Sequence, residues 1–351
     1  MRIWYVRPKR RMASFSEVGA AHVKELAKRW RVIELDEDEM SKIKANREDV
    51  VFIHPLFYLA NKYKEDFSAL IRDRRFKLIG VDVADSDRIS EYGVRLANLC
   101  DAVVVPSRWA KEVYEKSGVQ VPVYVVPHAL FPEFLAPKRP PSAPRLRELW
   151  KKKIDDNLVY ILYICQHSPR RKGFDLVKRV LEAALRERGE KILPIFHGGV
   201  AGVMSWYLKG ECIVKRGKCL IDRRLLVQVY DLCDVYLLFS RGGGFELCGL
   251  EALARGLVVL APEAGPWTEY LPRESLVKVA RWAPVLHENL IHVGLGPEID
   301  VDDAVEKLVS IVDSIGEWRA RFAAYAKEAR EKWTWERSGA ILRQVMEEVA
   351  G

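Results

Sequence analysis

Short apolar runs of strand length alternate with stretches of helical periodicity through most of the chain. "RIWYV" (2–6), "RVIELD" (31–36), "VVFIHP" (50–55), "FKLIGVDV" (76–83) and "DAVVVPS" (101–107) are rich in β-branched residues and predict strands. "SEVGAAHVKELAKRW" (16–30) spaces its apolar residues as a helix does, with Ser16 as the expected N-cap. "VPVYVVPHA" (121–129) closes this half. Runs that stay apolar instead of alternating predict strands buried on both faces. With helices between them, they predict a parallel sheet covered on two sides.

The Pro-rich stretch "FPEFLAPKRPPSAP" (131–144) breaks all periodicity and reads as a linker. The same grammar then restarts with strands in "LVYILYIC" (158–165), "KILPIFHGG" (191–199), "VYLLFS" (235–240) and "LVVLAPEAG" (257–265). Helices are expected in "GFDLVKRVLEAALRER" (173–188) and "DRRLLVQVYDLC" (222–233). The last fifty or so residues are helical in pattern, with segments at 302–315, 317–333 and 335–349. A chain of 351 residues fits two domains, each large enough for its own core. The expected boundaries are 1–131 for the first, 132–150 for the linker and 151–316 for the second. Helices over 317–351 are expected to pack back towards the first.

Between the strand "VYLLFS" and the helical run "FELCGLEALA" stand Arg241 and the glycines Gly242, Gly243 and Gly244. Glycine permits positive φ and close approach of a ligand to the main chain. A helix opening behind it offers unpaired N–H groups to an anion. The stretch therefore reads either as an anion cradle or as a plain tight turn with Glu251 paired to Arg255. In α/β sheets ligands lie beyond the carboxyl ends of the strands, where this stretch falls.

Composition narrows the classes. Hydrophobic residues make up 49%, so the chain is globular, and no run reaches the ~20 apolar residues of a membrane span. The start, "MRIWYVRPKRR", lacks the order of a secretory signal, so a cytoplasmic protein is expected. The six cysteines show no zinc-like spacing, and a Cys212–Cys219 disulfide is not expected in a reducing compartment. Five Asn and four Gln beside 30% charged residues resemble proteins of hot environments. The net charge of +8 favours polyanionic partners: phosphorylated ligands, an anionic membrane surface or nucleic acid. Basic clusters at 7–11, 71–77 and 138–153 carry much of it, though such clusters also serve as solvated faces.

Three stretches in order, "CDAVVVPSRWAKEVYEKSGVQVPVYVVPHAL" (100–130), "PRRKGFDLV" (169–177) and "SRGGGFELCGLEALARGLVVLAPEAGPWTEYL" (240–271), resemble the group 1 (family 4) GT-B glycosyltransferases. The resemblance implies an α/β chain of two facing Rossmann-like domains with parallel sheets. It implies a retaining hexosyltransferase that needs no metal and no cofactor beyond its substrate, a UDP- or GDP-sugar. Glu251 matches the second Glu of the family's E-x7-E motif and would accept hydrogen bonds from both ribose hydroxyls, as two carboxylate oxygens allow. The Gly242–Gly244 turn would meet the donor's diphosphate or sugar, with Phe245 beside it. Lys172 and Arg171 would stabilise the departing phosphate, as fixed cations do, with Arg170 adding charge. Gly19 falls near the family's Gly-rich loop, and Glu269 matches a position near the donor. Asp82 stands near where relatives often carry a His and would face the anomeric centre.

Two further positions depart from the family. The first Glu of E-x7-E is Gly243 here, in the register "GGFELCGLE". At about 100° per helical residue, Glu246 points away from the direction that position would take. It is therefore expected to stabilise the helix N-terminus through the macrodipole. Gln166 stands where relatives carry an Arg. Asp85-Ser86-Asp87 spells a D-x-D, with helix capping as the alternative to a metal site, and His54 reads equally as a strand-end core residue.

The leading expectation is a retaining glycosyltransferase with a nucleotide-sugar donor and an anionic acceptor, with peripheral membrane contact as an option. A weakened GT-B-like nucleotide- or glycan-binding protein and an enzyme modifying nucleic acid are the alternatives. Nucleic acid is the less favoured partner.

Overall fold

A computed structural model describes residues 1–10, 14–72, 74–213 and 222–351. In chain order the first elements are β1 (Arg2–Val6), α1 (Ser14–Leu26), β2 (Arg31–Leu35), β3 (Val50–Ile53), α2 (Leu56–Lys62) and α3 (Lys64–Arg72). Then come β4 (Lys77–Val81), α4 (Glu91–Ala97), β5 (Ala102–Val105), α5 (Arg108–Ser117) and β6 (Val123–Val125). These strands form one parallel sheet in the order β2-β1-β3-β4-β5-β6. The order reverses between β1 and β3, so this sheet has its switch point there.

The chain continues with α6 (Pro132–Leu135), α7 (Pro144–Asp155), β7 (Val159–Ile164), α8 (Phe174–Arg188), β8 (Ile192–His197), α9 (Ala201–Leu208) and β9 (Glu211–Ile213). After these lie α10 (Arg223–Leu232), β10 (Val235–Leu237), α11 (Leu247–Ala254), β11 (Val258–Pro262) and β12 (Leu276–Val277). The second parallel sheet runs β12-β11-β10-β7-β8-β9 and reverses between β7 and β10. An antiparallel pair, β13 (Val279–Pro284) and β14 (Leu295–Ile299), precedes α12 (Val301–Asp313), α13 (Ile315–Lys332) and α14 (Trp335–Ala350).

The chain divides into two units. One holds Met1–Ala129, Leu286–Gly294 and Trp333–Gly351, the other Leu130–Val285 and Leu295–Lys332. The stretch expected as linker thus carries α6 and α7, both opened by Pro at the first helical turn, and belongs to the second unit. The tail splits: α13 stays with the second unit and α14 with the first. Ser16 lies inside α1 and not before it, and its hydroxyl donates to the Pro8 carbonyl.

Each sheet is buried on both faces because its strands carry apolar side chains in both directions. In the first unit Val51, Ile53 and Val103 feed one core, and Tyr5, Phe52 and Val104 the other. The second core is closed by Leu26 of α1 and by Leu342, Val345 and Met346 of α14. Gly339 lets α14 lie against Glu25, which accepts a 2.7 Å bond from Arg343. In the second unit α8 buries Leu176, Val177, Val180, Leu181 and Ala184, one stripe at helical spacing.

At the first unit's switch point the Tyr5 hydroxyl lies 2.9 Å from Nδ1 of both His22 and His54. It donates to one ring and accepts from the other, so the two neutral imidazoles hold different tautomers at Nδ1. Burial lowers His22 and His128 to about 3, and lowers His54 well below its usual value with His22, His128 and Arg7 adding to it. Groups depressed in this way stabilise the fold above the unfolded value near 6.5 and lose that contribution as pH falls. At pH 5 the cost is about 2 kcal/mol for each of His22 and His128. Urea unfolding at pH 7 and pH 5 is expected to show the first unit destabilised at pH 5. A variant with His22 and His128 replaced by Gln should lose most of that pH dependence.

Candidate functional site

The second sheet places two loops side by side, because β7 and β10 are adjacent and parallel. One loop runs from Cys165 to Gly173 and leads into α8; the other runs from Leu238 to Glu246 and leads into α11. Gly173 takes φ 70°, and a Cβ there would lie 1.9 Å from the Phe239 carbonyl oxygen. Only glycine lets the two loops approach so closely. Neither α8 nor α11 has a side-chain hydrogen bond at its N-cap. Both helices begin directly behind these loops, so their positive dipole ends lie at this crevice.

The glycine stretch is used differently from the sequence expectation. Gly242, Gly243 and Gly244 do not take positive φ; the left-handed residue is Glu246, at φ 63°. Because Glu246 precedes α11 in that conformation, helical angles do not describe its direction, and the expectation that it points away from position 243 is corrected. Its buried carboxylate turns back to Lys172, which donates to Oε2, and to Arg171 at 3.4 Å from Oε1. A Cβ on Gly243 would lie 2.1 Å from Glu246 Oε1. Gly243 is thus the space that Glu246 fills: position 246 brings a carboxylate to the edge of position 243.

This geometry gives an expected result for Gly243→Glu. The new side chain displaces Glu246 from its two cations and puts a second carboxylate beside it. The variant should be less stable than the wild type in urea unfolding, and Gly243→Glu with Glu246→Gly should recover part of the loss. Higher stability of the single variant would contradict the placement.

Arg171 also donates to the Gly242 carbonyl at 2.9 Å, and the Arg171 carbonyl accepts from Arg241 N at 2.7 Å. Arg241, 1% exposed, ties both loops to the antiparallel pair. Its guanidinium donates to Asp175 at 2.6 and 2.7 Å, to Glu298 at 2.6 Å and to the Arg170 carbonyl at 2.6 Å. Arg281 takes the other oxygen of Glu298 at 2.6 Å. Lys172 is partly accessible, its side chain 19% exposed.

Glu251 lies in α11 and is buried. Its Oε2 accepts from the Tyr230 hydroxyl at 3.0 Å. The alternative pairing with Arg255 is corrected: Arg255 forks onto Asp231 at 2.7 Å and donates to the Phe134 carbonyl. Burial pushes Glu251 up to about 7, against the Tyr230 hydrogen bond and the Arg223 charge, which hold it down. A carboxyl raised in this way stabilises the fold below its unfolded value near 4.5, and that contribution is lost as pH rises through 7. At pH 8 the buried charge costs on the order of 3 kcal/mol. Glu251→Gln keeps an acceptor for Tyr230 and removes the charge. Its stability advantage over wild type is expected to grow from pH 5 to pH 8 in urea unfolding, and a pH-independent difference would contradict this.

The other second-unit residues lie around the same loops. Arg170 is exposed, and Glu269 is half-buried in the turn after β11. Phe245 is buried, its ring 5.4 Å from that of Tyr270, whose hydroxyl donates to the Glu246 carbonyl at 2.8 Å. It therefore supports the loop from behind.

In the first unit Asp82 follows β4 and is buried, accepting from Phe57 N at 2.7 Å and Val83 N at 2.8 Å. Burial raises it to about 7 against those two bonds. It lines a cavity of about 570 Å³ with Phe57, Asn61, Lys62, Asp85 and His292. Gly19, in α1, lies against Arg7 and His54, so a side chain there would clash. Neither Asp85 nor Asp87 caps the following helix: Ser90 does, accepting from Gly93 N at 3.1 Å. Among the described residues no group of three or more His, Cys, Asp or Glu is gathered as for a metal. Arg7, Arg10 and Arg74 of the basic clusters pair with Glu34, Asp36 and Asp101, while Arg11 and Asp73 lie outside the described residues, as does Cys219. No described helix is long and apolar enough to cross a membrane.

No family model matches the chain. Uncharacterized protein 356 of Sulfolobus islandicus rod-shaped virus 1 is 30% identical over 353 residues, covering 98% of each chain. The chain belongs to the family of that viral protein. A putative glycosyltransferase 45 of Sulfolobus islandicus filamentous virus is 32% identical over 242 residues, which is 66% of this chain and 63% of that protein. Among solved structures, the sucrose-phosphate synthase of Thermosynechococcus elongatus superposes with a TM-score of 0.68 at 13% identity, covering 99% of both chains. An E. coli trehalose-6-phosphate structure bound with UDP-2-fluoro glucose gives 0.67 at 11% identity, covering 100% of this chain and 99% of that one. The fold is GT-B: two Rossmann-like units with parallel sheets and C-terminal helices.

Within this GT-B chain, the structure gathers Arg171, Lys172, Gly242 and Gly243 at one switch point, with Glu251 one helix turn deeper. Sequence reasoning missed Arg241, Asp175, Tyr230 and the true position of Glu246. A signal for the first two existed: an Arg beside three glycines at a strand end, and an Asp two residues after Gly173 at the start of α8.

Proposed function

We propose that the chain is a glycosyltransferase that moves a sugar from a nucleotide-sugar donor held in the second unit. The observation that carries this reading is the meeting of Arg171, Lys172 and two uncapped helix N-termini at the β7/β10 switch point. A diphosphate suits such a place because donors and dipoles converge on it. As the bond from the sugar's anomeric carbon to the phosphate oxygen breaks, charge builds on the leaving nucleoside diphosphate. Lys172 and Arg171 meet that charge where it grows. The arriving diphosphate competes with Glu246 for Lys172, which frees the Glu246 carboxylate for a sugar hydroxyl. Glu251 accepts the ribose hydroxyls when ionised, so donor affinity rises with pH through 7.

The reading extends to retention of anomeric configuration, a hexosyl group and no need for a metal. Asp82, with its pKa near 7, is proposed to hold the acceptor's hydroxyl. The viral relative's designation and the UDP-sugar bound in the E. coli neighbour support the reaction class and a uridine donor. An anionic acceptor, lipid-linked or glycan, fits the charge of +8. Thermal shift against a panel of UDP- and GDP-sugars is the test, since a specific ligand raises the melting temperature. One donor is expected to stabilise the protein by several degrees more than its nucleoside monophosphate. No stabilisation by any member would overturn the reading.

A further inference from the structure

The second unit holds another cavity, of about 900 Å³, at the amino ends of its central strands. Leu158 and Asp234 line it directly before β7 and β10, and Gly256 two residues before β11. The crevice of Lys172 lies beyond the other ends of these parallel strands, a separation of about 20 Å for a six-residue strand. The two sites therefore share no lining residue.

Its walls are cationic. Lys138, Lys153, Arg255, Arg319 and Arg330 line it against two carboxylates, Asp231 and Asp234. The acids are already taken. Asp231 is forked by Arg255, and Asp234 receives Lys153, Arg319 and the Tyr160 N–H. Lys138 donates no hydrogen bond to any described residue, and its ammonium lies near Gly256, 3.7 Å from where a Cβ would stand. Although Lys138 is exposed as a residue, its ammonium is pulled below the usual lysine pKa. Burial is the main cause, with the Arg255 and Lys153 charges adding to it against Asp231 and Asp234. Arg319 and Arg330 stand on one face of α13, with Ala323 and Ala326 between them leaving room. Arg330 uses one N–H on the Ala254 carbonyl and keeps the rest.

We propose that this cavity is a second binding site, for a small ligand carrying several phosphates. Three cations with unused donors (Lys138, Arg319 and Arg330) converge on a space far larger than one phosphate, while Asp231 is paired with Arg255, and Asp234 with Lys153 and one edge of Arg319. An excess of three positive charges matches an oligophosphate better than a single carboxylate. The Trp150 side chain, 38% exposed on α7, forms an aromatic wall of the same cavity.

Calorimetric titration of the full chain with inorganic tripolyphosphate at constant ionic strength tests this. Lys138→Glu is the main variant, because Lys138 has no hydrogen-bonded partner to lose. Lys152→Glu makes the same charge change on a residue paired only with Asp156, outside the cavity. Lys172→Ala reports on the other crevice. The expected result is tight binding by the wild type, at least tenfold weaker in Lys138→Glu and within twofold of wild type in Lys152→Glu, with the same tenfold loss from Lys138→Glu when it is made in a Lys172→Ala background. Equal binding by wild type and Lys138→Glu, loss confined to Lys172→Ala, or no binding by the wild type overturns the proposal. Melting temperatures without ligand confirm that each variant is folded. Because no sugar donor is used, failure here leaves the proposed transfer reaction standing, and the converse holds.

Discussion

Lys172→Ala is expected to lower donor turnover by about a hundredfold or more, while affinity for the free nucleoside falls less than tenfold. The asymmetry follows from when the charge is needed. The ammonium meets a diphosphate in the ground state too, but the charge to be stabilised grows as the phosphate leaves, and one preorganised donor is worth about 10²–10³ in rate. Losing it also leaves the buried Glu246 with Arg171 alone at 3.4 Å, which costs stability. Lys172→Ala combined with Glu246→Gln separates the two effects. Stability should return towards wild type and turnover should not. Equal losses of nucleoside affinity and turnover in Lys172→Ala would make the residue an anchor and nothing more.

Arg241→Leu is expected to destabilise the second unit by about 3–5 kcal/mol, the range for removing one partner of a buried ion network. The replacement leaves Glu298, 4% exposed, with Arg281 as its remaining ion partner, and frees Asp175 and the Arg170 carbonyl at once. It also loosens both crevice loops, because Arg241 ties the Lys172 loop to its own. Urea unfolding followed by tryptophan fluorescence measures the loss. Arg241→Lys keeps the charge but not the planar fork and should fall between the two. A change below 1 kcal/mol in Arg241→Leu would show that the network is dispensable.

Both parallel sheets were legible in the sequence because their strands are apolar on both faces and separated by helices with one apolar stripe. The stretch 132–150 was not legible as helical. Pro132 and Pro144 were read as breakers, whereas each opens a helix at the position where its missing N–H is harmless. The antiparallel pair β13–β14 was missed for a different reason. Gly296 and Pro297 weaken the strand signal of "LGPEI", and ten residues separate the two strands. Most of that connection returns to the first unit, where Ile291 enters the core, a non-local contact that no periodicity announces. The candidate site divides the same way. Lys172, Arg171 and Glu251 were found because strand ends and family spacing mark them. Glu246 was misplaced because a helix was assumed to begin at Phe245, and one residue at φ 63° redirects a carboxylate by more than any rotamer could.

In the proposed reaction the β7/β10 crevice of this GT-B chain breaks a nucleotide-sugar bond. The most direct measurement is release of nucleoside diphosphate from a panel of UDP- and GDP-hexoses, followed by ³¹P NMR in wild type and Lys172→Ala with EDTA present. One donor is expected to yield its nucleoside diphosphate with the wild type, and at most about a hundredth of that rate with Lys172→Ala. Release at equal rates by both proteins, or from no donor in the panel, would contradict it.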